Sequence, residues 1–273
     1  MSDELHIISS KQDTFREFFI KIWNYRALIW VFAKRDLKVK YSQTMIGLGW
    51  TVLQPLTALF IFTFFFGFLL KWETAGIPYP IYVLSGLLGW NFFSYIVSAG
   101  TSSVFESAHL IKKIYFPKSI IPFSKVIIAA IELGISIILL VLLMIYYQQT
   151  LSWNIVFMPL VLVYNIICAL CLVYWISIFT IKKRDLLHLV PFILYFGIWL
   201  SPVFFSNDIL PVEYRFLLDF NPIANVIEAW RWSLFGFGEF KIIWIFNFFI
   251  VILLFLGGLY IYNRKENSFV DNV

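Results

Sequence analysis

Six stretches of mostly apolar residues divide the chain between residues 49 and 262. Each is long enough for a bilayer-spanning helix, which needs about 20 such residues. Backbone amides and carbonyls in the hydrocarbon core must be satisfied within such a segment, so each stretch is expected to be helical. The predicted spans are Gly49–Leu70, Pro80–Val104, Pro122–Tyr147, Ile155–Ile181, Leu186–Phe205 and Ile242–Tyr262. The sequence therefore predicts an all-α integral membrane protein with six transmembrane helices.

The composition also favours a membrane protein. Hydrophobic residues make up 61% of the chain and charged residues 14%, whereas soluble domains have roughly 45–50% apolar and 25% charged residues. The 273 residues suit one domain, with an interfacial region at 1–48, a membrane region at 49–263 and a tail at 264–273. The first apolar stretch follows the charged and amphipathic residues 1–48, an order that is not typical of a cleavable signal peptide.

The positions of the basic residues predict the orientation of the chain. In a soluble protein the net charge of +5 would suggest nucleic acid as a partner. Here all but four of the 21 lysine and arginine residues fall in the N-terminal region, in two alternate loops or in the tail. The four exceptions are Lys71, Arg215, Arg231 and Lys241. Because cytoplasmic loops carry the excess of basic residues, both termini are predicted to be cytoplasmic, with lipid and not nucleic acid as the partner.

Apolar residues recur at helical spacing between residues 14 and 40, among charged ones, which predicts an amphipathic interfacial helix. The apolar positions near its start are Phe15, Phe18, Phe19, Ile22 and Trp23. A basic cluster follows, formed by Lys34, Arg35, Lys38 and Lys40. It is expected to lie against anionic lipid headgroups, although a solvated basic face is the alternative.

Residues 105–122 form a charged island between the second and third spans. Proline disfavours helix in the residue before it and lacks an amide donor, so Pro117 predicts a short cytoplasmic helix with a sharp end. The alternative is a solvated turn. The candidate residues are Glu106, His109, Leu110, Ile111, Lys112, Lys113, Tyr115, Phe116 and Pro117.

The predicted outer segment, residues 206–240, is too rich in apolar residues for a solvated loop. Asn221-Pro222 is a turn signal, and Val226, Ile227, Trp230 and Leu234 follow it at helical spacing. Two short re-entrant helices are predicted here, forming a lid over a pathway because irregular backbone at membrane depth must contact protein or water.

Motifs for chemistry are scarce in the sequence. It contains no Gly-x-x-x-x-Gly-Lys-[Ser/Thr] phosphate loop, so energy from ATP would have to come from a partner. Cys168 and Cys171 have the spacing of a metal half-site but lack a second pair of ligands, and packing inside an apolar helix is the preferred interpretation. No metal site is predicted.

Glu132 is expected to lie within the third span, where a carboxylate costs roughly 2.5–3.5 kcal/mol on insertion scales. A structural interpretation pairs it with Ser98, Thr101 or Ser102 of the second span. A functional one places it at a protomer interface or in a transport path.

Aromatic side chains on the first and fifth spans are open to two interpretations. Phe60, Phe64, Tyr195 and Trp199 face lipid, or they line a path on which sugar faces stack.

Several motifs resemble those of ABC-2-type permeases of the polysaccharide export group, which export O-antigen, capsule and teichoic acid chains. They are Arg35–Trp50 (RDLKVKYSQTMIGLGW), Gln54-Pro55, Ile114–Pro117 (IYFP), Asn221-Pro222 with Arg231, and Phe269–Asp271 (FVD). Their order extends over nearly the whole chain. Lys40, Ser42 and Val270 depart from the commoner arginine, lysine and alanine.

The resemblance implies a homodimer with a tunnel between its copies, and two copies of a separate P-loop ATPase that binds ATP and Mg, so that this chain needs no cofactor. It implies export of a lipid-linked polysaccharide across the bacterial inner membrane. The island would be the coupling helix, with Leu110, Ile111 and Tyr115 as buried anchors and Glu106, Lys112 and Lys113 as the rim.

The resemblance assigns an entrance region, and the aromatic rings, Glu132 and the outer segment supply the path and gate candidates. The entrance residues are Lys34, Arg35, Asp36, Lys38, Lys40, Tyr41 and Trp50. The path and gate candidates are Phe60, Phe64, Glu132, Tyr195, Trp199, Asn221, Glu228, Trp230 and Arg231.

Two alternative functions remain. One is an ABC-2 exporter of a smaller lipid or drug. The other is a membrane-embedded glycosyl or acyl transferase, for which only His109, His188 and Asp208 are placed as catalytic groups.

Overall fold

A computed structural model describes residues 20, 22–42, 44–72, 74, 76–113, 116–180, 183–207 and 210–265. Over these residues the protein is all-helical. Its α-helices are α1 (Arg26–Ser42), α2 (Trp50–Phe62), α3 (Tyr79–Glu106), α4 (Ala108–Ile111), α5 (Ile120–Tyr147), α6 (Met158–Thr180), α7 (Leu186–Gly197), α8 (Phe216–Asp219), α9 (Pro222–Phe235) and α10 (Ile242–Arg264). Short 3₁₀ helices occupy Gly47–Gly49, Trp153–Phe157 and Val212–Tyr214, and a π-helical segment occupies Thr63–Leu69.

Five helical segments are long and apolar enough to cross a membrane. They are Gly47–Leu69, Tyr79–Glu106, Ile120–Tyr147, Trp153–Thr180 and Ile242–Arg264, with lengths of 23 to 28 residues. At about 1.5 Å per residue each exceeds the roughly 30 Å of a hydrocarbon core. Five of the six predicted spans are therefore present as long helices.

The remaining predicted span, Leu186–Phe205, is helical only in its first part. Its helix α7 has 12 residues, about 18 Å at the usual helical rise, and turns follow from residue 198 to residue 203. The carbonyls of Pro202 and Val203 accept hydrogen bonds from the Arg231 side chain. Because these carbonyls are satisfied from another helix, the backbone does not need to continue as a helix here.

α3 is the central helix of the molecule. It packs against α2, α5, α6, α7 and α9, and 78% of its most apolar 18-residue stretch is buried. In the first span, Gly47–Leu69, the corresponding share is 11%. The first span therefore covers one side of the bundle and leaves most of its apolar surface to lipid or to another chain.

Gly86 on α3 permits the closest of these contacts. A Cβ atom at this position would lie 2.5 Å from Arg231 Nη2 and 2.8 Å from the carbonyl oxygen of Val203.

We therefore expect Gly86→Ala to destabilise the protein by about 2 kcal/mol, as overpacking does in other cores. The measurement is the midpoint of thermal unfolding in detergent. Gly134→Ala is the matched control, because nothing lies within 4 Å of its Cβ position, and equal midpoints for the two variants would contradict the prediction.

The outer segment contains the helix expected after Asn221-Pro222. The Asn221 side chain accepts a hydrogen bond from the Ile223 amide (3.2 Å) and so caps α9. Gly236, with φ of 68°, ends it. α9 packs against α3 and α6, and most of its residues are buried, so it is an integral part of the bundle.

α1 corresponds to the C-terminal part of the predicted interfacial helix. Phe15, Phe18 and Phe19 lie outside the described residues. α1 packs against α5, with Phe32 and Ala33 buried.

Candidate functional site

A cavity of about 720 Å³ lies between α2, α3, α5 and α7, with Lys40 of α1 at one end. Its aromatic lining consists of Phe62, Trp90, Phe92, Tyr95, Tyr195, Trp199 and Phe204. Its polar lining consists of Lys40, Thr51, Gln54, Asn91, Ser94, Ser98, Glu132 and Ser136. The Lys40 side chain is 39% exposed, so that end of the cavity reaches the surface of the protein.

Three rings in mutual contact form part of the cavity wall. The ring centroids of Phe62 and Phe204 are 3.7 Å apart, and the Trp199 centroid lies 5.2 Å from that of Phe204. Tyr195, 68% exposed, continues the wall. The predicted path residues Tyr195 and Trp199 therefore line the cavity.

The other two predicted rings do not line it. Phe60 and Phe64 are 74% and 45% exposed and are absent from the lining, whereas Phe62 takes part in it. The sequence pattern indicates that Phe62 shares a face of α2 with other lining residues. Gln54, Ala58 and Phe62 follow one another at intervals of four residues, which places them on the same side of a helix.

Glu132 does not pair with Ser98, Thr101 or Ser102, as the structural interpretation expected. Its Oε1 accepts hydrogen bonds from Lys40 Nζ (2.5 Å) and the Tyr41 hydroxyl (2.6 Å) of α1. The Thr101 hydroxyl donates to the Val97 carbonyl of its own helix instead, a common solution for hydroxyls inside membrane helices, and the Ser102 hydroxyl donates to the Glu106 carboxylate.

Two further interactions surround this pair. Lys40 Nζ lies 4.2 Å from the ring centroid of Tyr95, which adds a cation–π contact. Burial, reinforced by the hydrogen bond and the charge of Glu132, raises the pKa of Tyr41. The Tyr41 hydroxyl therefore stays protonated and acts as the donor.

The entrance region also contacts the island and α5. Asp36 Oδ2 lies 2.9 Å from Lys125 Nζ, which is 3.5 Å from Glu106 Oε2. Phe32 of α1 packs against Phe116 of the island, with centroids 5.3 Å apart. α1, the island and the start of α5 thus form one connected unit.

Two further contacts complete the placement of the entrance residues. Arg35 Nη2 donates to Ser107 Oγ at 3.5 Å. Lys34, Lys38 and Trp50 are exposed, and Lys34 Nζ lies 5.6 Å from the Trp30 ring centroid.

The island exposes fewer of its side chains to a possible partner than the sequence predicted. Its helix α4 has only four residues, with His109, Lys112 and Lys113 exposed and Leu110 half-buried. The predicted anchor Ile111 is buried within the chain and so cannot serve as an anchor for a partner.

Two more predicted island residues face inward. Phe116 and Pro117 are buried, because the chain returns to the bundle before α5 begins. The predicted anchor Tyr115 lies outside the described residues. Glu106 remains half-exposed, and its Oε1 accepts a hydrogen bond from Ser102 Oγ at 2.6 Å.

The outer gate candidates do not line the large cavity. Trp230 and Arg231 are buried, and Asn221 is the cap of α9. The Glu228 carboxylate pairs with Lys241 Nζ at 3.2 Å, and burial raises the pKa of Glu228. Glu228 and Arg231 line a separate cavity of about 310 Å³. Their contacts hold the outer part of the bundle together.

The lining of the large cavity offers groups for recognition. Within the described ranges, no three His, Cys, Asp or Glu side chains are grouped closely enough to hold a metal ion. Cys168 and Cys171 are buried in α6 without a disulfide. What the large cavity provides is aromatic faces, neutral hydrogen-bonding groups and a single ion pair.

Residues 27–235 match the model of the ABC-2 type transporter family, and the chain belongs to that family. It is therefore a multi-pass membrane protein and a transport subunit rather than an enzyme. Among its relatives, the O-antigen export system permease protein RfbA of Klebsiella pneumoniae is 29% identical over 249 residues, covering 89% of this chain and 94% of the relative.

Two other relatives extend the comparison. The RfbA protein of Myxococcus xanthus is 26% identical over 77% of this chain and 81% of its own length. The polysialic acid transport protein KpsM of Escherichia coli is 23% identical over 87% of this chain and 93% of its own length.

Proposed function

We propose that the chain is the membrane permease of an ATP-driven exporter that moves a lipid-linked polysaccharide from the cytoplasmic to the outer side of the bacterial inner membrane. The relatives are O-antigen export permeases and a polysialic acid transport protein. The observation that most supports this function is the cavity lined by aromatic rings and neutral polar groups.

The lining suits a sugar chain in transit. Aromatic faces stack on the apolar faces of sugars without fixing one position. Gln54, Asn91, Ser94 and Ser98 supply hydrogen-bonding groups beside the rings. Apart from Lys40 and Glu132, the described lining carries no charge, so a long neutral segment meets no strong attraction that would stop its movement.

The proposed assembly has two copies of this chain and two copies of a P-loop ATPase that binds ATP and Mg. Each permease has six membrane segments with both termini in the cytoplasm, the fifth being α7 with the turns after it. The exposed face of the first span, including Phe60 and Phe64, is a surface for the second copy or for lipid. The ATPase docks on the cytoplasmic surface of the island, where His109, Leu110, Lys112 and Lys113 are accessible.

We expect the triple variant Leu110→Asp, Lys112→Glu and Lys113→Glu to lose the ATPase while keeping the fold. Reversing two rim charges and placing a carboxylate at the predicted anchor Leu110 would weaken the contact by about tenfold or more. The measurement is the ATPase recovered with tagged permease from native membranes, together with polymer export in cells that lack the native permease.

Lys71→Glu is the control, because Lys71 is exposed on the predicted outer side. If no P-loop ATPase copurifies with the unaltered chain, or if the triple variant exports polymer normally, the proposal fails. Recovery of O-antigen, capsule or teichoic acid at the surface identifies the polymer.

A further inference from the structure

The cavity contains one ion pair, and that pair has an unusual composition. Among the described lining residues, Lys40 and Glu132 alone carry charge. A single oxygen, Oε1 of Glu132, accepts both the Lys40 and the Tyr41 hydrogen bonds. Two donors from adjacent residues of α1 thus converge on one anionic oxygen supplied by α5.

Convergent donors of this kind suit an oxyanion. An ammonium group and a phenolic hydroxyl are both donors, and charge-assisted bonds to a phosphate or carboxylate are stronger than neutral ones. The Tyr95 ring also contacts the ammonium, with Lys40 Nζ 4.2 Å from the ring centroid. Gln54, Asn91 and Ser94 line the same cavity and supply further neutral donors.

The position of the pair is open to an incoming ligand. The Lys40 and Glu132 side chains are 39% and 21% exposed. Because both side chains are partly accessible, a competing anion can reach the ammonium and take the place of the carboxylate.

We propose that Lys40 and Tyr41 form a binding site for a phosphate-type anionic headgroup, and that Glu132 occupies this site as an internal substitute until the headgroup displaces it. The inference rests on the proposed function in that the substrate is lipid-linked and enters this cavity. The displaced carboxylate loses its cation, which keeps the affinity moderate. A transported ligand needs such moderation, because it must leave as well as bind.

Displacement also changes how α1 is held. The Asp36–Lys125 pair anchors α1 one turn earlier, beside the island. When a headgroup replaces Glu132, α1 keeps this anchor and loses its contact with the middle of α5. Occupancy of the cavity is thereby communicated to the helix that contacts the proposed ATPase-docking segment.

The test measures binding of radiolabelled polyprenyl phosphate to the full-length chain in nanodiscs of neutral phosphatidylcholine. Uncharged polyprenol and inorganic pyrophosphate serve as competitors. We expect Glu132→Gln to tighten binding about tenfold, because it frees the cation and removes a competing charge, and Lys40→Gln to weaken it about tenfold. Glu213→Gln and Lys183→Gln, both at exposed positions away from the cavity, are the matched controls and should match the unaltered chain.

The opposite directions of the two effects separate the proposal from a merely structural ion pair, whose loss would act in the same direction in both variants. The proposal is overturned if both variants weaken binding, if neither changes it, or if polyprenol competes as well as unlabelled polyprenyl phosphate. Pyrophosphate competing only at much higher concentration identifies a lipid headgroup as the ligand, whereas competition at similar concentration identifies free phosphate.

The result is separable from that for the proposed function. If the ATPase copurifies and polymer is exported while the two variants fail to diverge, only the headgroup site is wrong. If the variants diverge but no ATPase copurifies, the anion site stands and the exporter proposal falls.

Discussion

Replacing Arg231 with lysine is expected to lower the stability of the folded protein strongly. The Arg231 side chain is 2% exposed and donates to the carbonyls of Tyr82, Pro202 and Val203. A lysine ammonium is a single point that cannot reproduce the planar fork of donors. Each carbonyl left unpaired costs about 1–3 kcal/mol, so we expect a loss of about 4 kcal/mol, a large part of a typical net stability of about 5–15 kcal/mol.

Detergent-solubilised protein analysed by size-exclusion chromatography and thermal unfolding measures this effect. Arg26→Lys is the matched control, because Arg26 is exposed and makes one bond to the Trp23 carbonyl. A melting midpoint for Arg231→Lys that equals the control's would show that these hydrogen bonds do not support the fold.

Lys125→Met should be the next most damaging substitution. Lys125 is 5% exposed and pairs with Asp36 at 2.9 Å and Glu106 at 3.5 Å. Removing one partner of a buried pair leaves an uncompensated charge and typically costs 3–5 kcal/mol. Asp36 keeps the Arg35 guanidinium at 2.7 Å, and Glu106 is 57% exposed and can be hydrated. We therefore expect the lower end, about 3 kcal/mol.

The double variant Asp36→Leu with Lys125→Met tests the cause of that loss. Replacing both charges with apolar groups avoids the stranded carboxylate, so the double variant should be more stable than Lys125→Met alone. Unfolding midpoints of both variants are compared with that of Lys38→Met, an exposed position on α1. A double variant less stable than Lys125→Met would refute the stranded-charge explanation.

Local patterns in the sequence predicted most of the helices. Hydrophobic length located five long spans, and the Asn221-Pro222 signal located α9. These features depend on neighbouring residues, so a local pattern is sufficient. The length of α7 was not predictable in this way, because it depends on hydrogen bonds from Arg231, which is 28 and 29 residues further along the chain.

The cavity was predicted only in part. Glu132 was recognised as exceptional, but its partners are 91 and 92 residues away on a helix assigned to the membrane surface. The aromatic lining was also ambiguous, since a helix that is apolar all round gives no indication of which face meets protein. Tertiary packing selected Phe62 and left Phe60 outside.

The two ion pairs between α1 and α5 also define the register of these helices. α1 presents an acid and then a base, Asp36 and Lys40, while α5 presents a base and then an acid, Lys125 and Glu132. A slip of one turn would bring Lys40 towards Lys125, or Asp36 towards Glu132, and like charges repel. The two ion pairs therefore fix the alignment of the two helices. If α1 separates from α5, it can dock again only in the original register, because a shift by one helical turn would place like charges together.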